Sequence, residues 1–155
     1  MFMNRKAHFG MASCMAGWLA AAVLIAAPGL AQGADISWKY TVASGTMGGG
    51  KFTRLGTAVL STGETAEVKY EGSEGASDEK KGRLAITIDA VMRFKDGSSI
   101  TMRQVGYRDP GMGGGAAGSG EFLSGTGKYQ GITGQYTYKG FLGKTEAVGT
   151  YTLKK

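Results

Sequence analysis

The sequence predicts an all-β fold, a small glycine-rich antiparallel barrel or two-sheet sandwich of eight strands, on three observations. From Asp35 onward no stretch repeats apolar residues at a helical period, whereas β-branched and aromatic residues alternate with polar ones in short runs. Turn signals separate those runs at frequent intervals. Glycine is abundant, with 28 residues, while of the 2 prolines only Pro110 falls in this region. Glycine without proline suits bulges, tight turns and bends at barrel corners rather than a disordered linker.

The amino terminus reads as a secretory signal over residues 1–34. Arg5 and Lys6 precede an apolar run from Met15 to Ala27, and small residues follow from Gly29 to Ala34, which places cleavage after Ala31 or near Ala34. A membrane anchor would need roughly 20 continuous apolar residues. This run is shorter and Pro28-Gly29 breaks it, so no stable membrane insertion is expected after cleavage. Cys14 suggests a lipoprotein, but the apolar run follows the cysteine instead of preceding it. The expected location is the periplasm or the exterior of the cell.

Cleavage would leave one domain, residues 35–155, large enough for a self-sufficient core. His8, Cys14 and Asn4, the only residues of their kinds, would leave with the signal. The domain is then held without disulfides. Nucleophilic catalysis through a histidine base and a zinc site are both excluded, and no cofactor is implied. The net charge of +6 is spread along the chain. Without a dense Lys/Arg run it reads as ordinary solubility rather than nucleic-acid binding.

Strands are expected near Ile36–Ala43, Phe52–Leu60, Ala66–Glu71, Arg83–Phe94, Ser98–Val105, Gly120–Ser124, Thr133–Phe141 and Thr145–Leu153. The string Met-Gly-Gly-Gly occurs at Met47–Gly50 and Met112–Gly115, read as loops at one end of the domain. The polar stretch Glu71–Lys81 reads as a solvated connection, and Glu64, Glu67, Glu71 and Glu74 read as surface charges. One hairpin is predicted in register. A two-residue Asp96-Gly97 turn would set apolar residues opposite polar ones. A three-residue loop, Lys95-Asp96-Gly97 with Gly97 left-handed in a bulge, instead pairs Met92 with Ile100, Ala90 with Met102 and Asp89 with Arg103. It separates the faces, with Ile86, Ile88, Ala90, Met92, Phe94, Ile100 and Met102 on one side, so that register is expected.

Two glycine-lysine strings imitate a phosphate loop and fail. Gly45–Lys51 has Phe52 where a metal-binding hydroxyl belongs and no helix after it, and Gly143-Lys144-Thr145 has Tyr138 in place of the upstream glycine. Among the tyrosines, Tyr136 and Tyr138 share one strand face, and Tyr40, Tyr70, Tyr107, Tyr129 and Tyr151 lie in or near other strands. They form either a packed core or the lining of a cavity.

The segment Gly125-Thr126-Gly127-Lys128-Tyr129-Gln130-Gly131-Ile132-Thr133-Gly134 resembles the glycine-rich signature of the allene oxide cyclase and dirigent barrel superfamily. The Phe94–Thr101 hairpin and the final Tyr151-Thr152-Leu153-Lys154 strand stand in the right order for it, so the resemblance covers the C-terminal half of the domain. It implies an eight-stranded antiparallel barrel similar to lipocalins, often trimeric, whose apolar cavity binds or steers a small hydrophobic molecule. It also implies structural roles for Gly125, Gly127, Tyr129, Gly131 and Gly134, a tight turn and an aromatic plug at the barrel rim. The cyclase holds its water with a glutamate and an asparagine near the first strands, and Trp38-Lys39-Tyr40-Thr41-Val42 offers neither.

The leading expectation is therefore an exported, non-enzymatic barrel that binds or presents a small apolar ligand. Its candidate ligand-binding residues are Trp38, Tyr40, Met92, Phe94, Met102, Tyr136 and Tyr138, with no catalytic residue and no metal. The alternatives are a cyclase or isomerase acting on an apolar substrate, and a structural or interaction module with a filled core.

Overall fold

The computed structural model describes residues 33–78, 82–110 and 114–154. Nearly all of the expected signal segment lies outside them, as does part of the second Met-Gly-Gly-Gly string. Eight strands follow one another: β1 (Ala34–Gly48), β2 (Lys51–Leu60), β3 (Thr65–Asp78), β4 (Arg83–Phe94), β5 (Ser99–Arg108), β6 (Ala116–Thr126), β7 (Ile132–Phe141) and β8 (Lys144–Leu153). Each is antiparallel to the next, and β1 returns to pair with β8, which closes the sheet into a barrel. Closure removes both sheet edges.

The β4–β5 hairpin has the expected register: Met92 pairs with Ile100, Ala90 with Met102 and Asp89 with Arg103. Gly97 adopts φ 82°, its N–H donates to the Phe94 carbonyl at 3.0 Å, and the Phe94 N–H donates to the Ser98 carbonyl at 3.0 Å. That is a type I turn closed by a glycine bulge. The seven residues assigned to the apolar face are all buried. On the opposite face Arg103 Nε donates to Asp89 Oδ1 at 2.8 Å, an exposed pair that adds little stability.

Inward positions alternate along every strand, and many are glycine. The neighbouring strand lays an aromatic ring over the gap: a Cβ on Gly120 would lie 2.4 Å from the Tyr136 ring, and one on Gly72 would lie 2.2 Å from the Phe52 ring. One ring thus fills the volume of two side chains. A bulge between Val42 and Ser44 shifts the phase of β1, so that Met47 pairs with Phe52.

Two sequence expectations need correction. Glu71–Lys81 is not simply a connection, because β3 continues through it to Asp78 with Gly72 and Glu74 on the inward side. Glu74 is not a surface charge: it is half-buried and paired with Arg108, while Glu64 pairs with Lys128 and only Glu67 and Glu71 are fully exposed. The first Met-Gly-Gly-Gly string is the end of β1 and a two-residue turn at Gly49-Gly50, both left-handed.

Candidate functional site

The barrel's two ends differ. At the closed end the interior is filled by Trp38, Val68, Met92, Ile100, Met102, Phe122, Ile132 and Tyr136, all buried. Trp38 packs edge-on to Tyr136 at 4.7 Å, and Phe122 lies 5.1 Å from Tyr136. A short 3₁₀ turn (Gly127–Tyr129) leads the chain across this end, with Gly127 at φ 60° and Gly131 at φ 75°. It sets the buried Tyr129 ring 4.8 Å from Phe94. Gly125 lies beneath it, where a Cβ would come within 2.3 Å of the Tyr129 carbonyl oxygen, and Gly134 lies against the backbone of Thr150.

Charges fasten the same end. Lys128 Nζ joins Glu64 of the β2–β3 turn to Asp96 of the β4–β5 turn and sits 5.0 Å above the Phe94 ring. Asp96 also accepts the Ser98 backbone N–H at 2.9 Å. The Ser98 hydroxyl, the Ser98 N–H and Lys128, in that order, hold the Asp96 carboxyl down at about 2. Burial, with Glu64 adding to it, pushes the Tyr129 phenol up to about 12.

At the other end the barrel opens into a cavity of about 550 Å³. Its walls include Val42, Phe52, Ile86 and Ile88, and Met47, Phe141 and Leu142 form the rim. The β7–β8 turn that carries this rim is docked on β1 by the Val42 N–H, which donates to the Gly143 carbonyl at 2.8 Å. Leu142 is the only non-glycine residue with positive φ among those described, at 50°, and its side chain is 66% exposed. A leucine gains nothing locally from the left-handed region.

The cavity floor is polar. Tyr40, Tyr70, Tyr138 and Gln104 line it, and all four are at least nine-tenths buried. The three hydroxyls lack hydrogen-bond partners among the described protein groups, as do Tyr136 Oη and Trp38 Nε1 behind them. Burial pushes the Tyr70 and Tyr138 phenols up to about 12 and those of Tyr40 and Tyr136 higher. Gln104 and Trp38 oppose part of the rise at Tyr70 from outside hydrogen-bond geometry, and the charge of Arg54 opposes part of it at Tyr40. These phenols are neutral donors throughout the ordinary pH range. Three cations, Arg54, Arg108 and Lys144, also line the cavity, and among the described residues no carboxylate does. Arg108 Nε donates to Glu74 Oε1 at 2.5 Å, whereas Arg54 sits 5.6 Å from the Phe52 ring centroid.

Of the seven candidate ligand-binding residues, the structure brings Tyr40 and Tyr138 to the cavity and places Trp38, Met92, Phe94, Met102 and Tyr136 in the packed end. Tyr70, Gln104 and Arg54 were not on that list. The inward series Ile100-Met102-Gln104 on β5, where a polar residue interrupts an apolar face, is the signal that points to Gln104. No group of described residues has the composition of a metal site. No protein-family model matches the sequence, and no curated protein matches it significantly.

Proposed function

We propose that this chain is an exported, non-enzymatic β-barrel that holds a small, largely apolar molecule in its open end and presents it at the rim. The observation that carries the reading is the asymmetry of the interior: one half is packed solid, and the other encloses a cavity in the 300–1,000 Å³ range typical of small-molecule sites. The rim supports it, since Met47, Phe141 and Leu142 expose apolar side chains around the mouth at the cost of a left-handed leucine. The chemistry of the floor favours holding over turnover. Neutral phenols donate hydrogen bonds, but a general base needs a pKa nearer the working pH. The signal segment and the resemblance to the allene oxide cyclase and dirigent superfamily agree with a secreted or periplasmic binding barrel.

Isothermal titration of the purified domain with fluorene and related tricyclic compounds tests the proposal, with native mass spectrometry to detect copurifying ligand. One molecule should bind per chain with a micromolar Kd. Ala116→Trp, which fills the cavity wall from a half-buried position, should abolish binding while leaving the fold intact. A domain that binds none of these compounds, or binds them equally well with the tryptophan in place, would overturn the proposal in favour of an interaction module.

A further inference from the structure

The open end differs from a plain apolar pocket in the sign and placement of its polar groups. Its floor offers three phenolic hydroxyls, from Tyr40, Tyr70 and Tyr138, none of which makes a hydrogen bond to a described residue, Gln104 beside them included. Buried polar groups are almost always hydrogen-bonded, so the partner belongs to whatever occupies the cavity. Phenols held neutral by burial act chiefly as donors towards an oxygen acceptor. The charge of the cavity lining is also one-sided. Arg108 is neutralised by Glu74, but Arg54 and Lys144 have no carboxylate within ion-pair distance among the described residues. Arg54 stands opposite Tyr70 in the β2–β3 register and lies close enough to Tyr40 for its charge to favour the phenolate, so a positive potential reaches the floor.

We infer that the ligand is a rigid apolar molecule bearing a carbonyl-type oxygen at its buried end and an anionic group at its outer end. The carbonyl takes hydrogen bonds from the tyrosine floor, the apolar body lies against Phe52, Ile86 and Ile88, and the anion meets Arg54 and Lys144. Tyr70 and Arg54 are the two discriminating residues, one for each polar group of the ligand. This inference rests on the ligand-binding reading and narrows it to one chemical class.

Three probes of one shape separate the contributions: fluorene, which lacks both groups; fluorenone, which adds the carbonyl; and a fluorenone carboxylate, which adds both. Affinity should rise in that order, by roughly threefold to tenfold for the carbonyl, the range of a net hydrogen bond. A further gain for the carboxylate should shrink as salt is raised. Tyr70→Phe, close to isosteric, should erase part of the fluorenone advantage and leave fluorene binding unchanged. Arg54→Gln should erase the carboxylate advantage alone. Thermal melts of both variants report whether the barrel is intact, and if Tyr70→Phe fails to fold, Tyr138→Phe makes the same test. Equal affinities for the three probes, or carboxylate binding no tighter than fluorenone, would overturn the inference and leave the ligand-binding reading standing. Failure of all three to bind would overturn both.

Discussion

The closed and open ends of this barrel are built from the same strands and a similar stock of residues, yet they handle charged groups in opposite ways. At the closed end the charged groups beside the 3₁₀ turn are paired, Asp96 with Ser98 and Lys128, Lys128 with Glu64, and Tyr129 with Glu64, while Trp38 Nε1 and Tyr136 Oη in the interior have no partner among the described residues. At the open end, among the described residues, three buried hydroxyls have no partner and two cavity-lining cations have no carboxylate within ion-pair distance. Turn chemistry divides the same way. Asp96-Gly97 suits its turn, whereas Leu142-Gly143 puts a leucine where glycine or asparagine belongs. Turn preferences and charge pairing are obeyed at the packed end and broken where we propose that the barrel binds.

The largest expected effect tests that division with one substitution made twice. Ile100 is fully buried in the packed end, while Ile88 borders the cavity. Ile100→Ala should cost about 3–4 kcal/mol, because it removes transfer free energy and leaves a new void among close-packed neighbours. Ile88→Ala should cost about 2 kcal/mol or less, because part of its surface already lacks packing partners. Urea denaturation of the two variants gives the comparison directly. Equal losses would mean that the open end is as tightly packed as the closed one.

The same contrast explains what the sequence disclosed. The β4–β5 hairpin was legible to the residue because its inward side is continuous Ile, Ala, Met and Phe and its loop carries Asp96-Gly97, so alternation and turn chemistry agree. The second half of β3 was not. Its inward positions there are Gly72, filled by the Phe52 ring from β2, and Glu74, matched by Arg108 from β5. No apolar alternation marks a strand whose core-facing residues are completed by other strands. The early part of β6, Ala116–Ser119, was missed for the same reason, being small residues of which Ala116 lines the cavity and Gly118 is covered by the Tyr138 hydroxyl. Candidate ligand residues chosen for apolar bulk, such as Met92, Phe94 and Met102, consequently mark the packed end. The site itself is marked by a polar residue in an apolar series, Gln104, and by glycines.

A smaller effect, of opposite sign, comes from the rim. Replacing Leu142 with asparagine would relieve the left-handed leucine and create an Asn-Gly pair, the preferred content of a two-residue hairpin turn with both residues at positive φ. Leu142→Asn should raise stability by about 1 kcal/mol and weaken binding of tricyclic probes by removing apolar surface from the mouth. A variant that gains stability without losing affinity would separate the rim from the site. No stability gain at all would show that the leucine side chain packs well enough to offset its backbone.

The smallest effect is a pH dependence confined to the closed end. Asp96 is held at about 2, below the usual aspartate range, first by the Ser98 hydroxyl and backbone N–H and then by Lys128. A folded-state pKa below the unfolded one means that the unfolded chain binds the proton more readily. The contribution of Asp96 is therefore fully present above pH 4 and is lost as the pH falls towards 2. Acid unfolding reports the sum over every proton-binding group of the chain, so the measurement that isolates Asp96 is the comparison with Asp96→Asn. Asparagine still offers an oxygen to the Ser98 N–H and cannot titrate, so the wild-type advantage over the variant should narrow steadily between pH 4 and pH 2. Salt separates the remaining contributions. Added salt screens the exposed Lys128 pair and leaves the short-range Ser98 hydrogen bonds in place, so most of the narrowing should survive it if Ser98 is the main cause. Parallel acid limbs for the two proteins would show that the Asp96 cluster does not fasten the closed end.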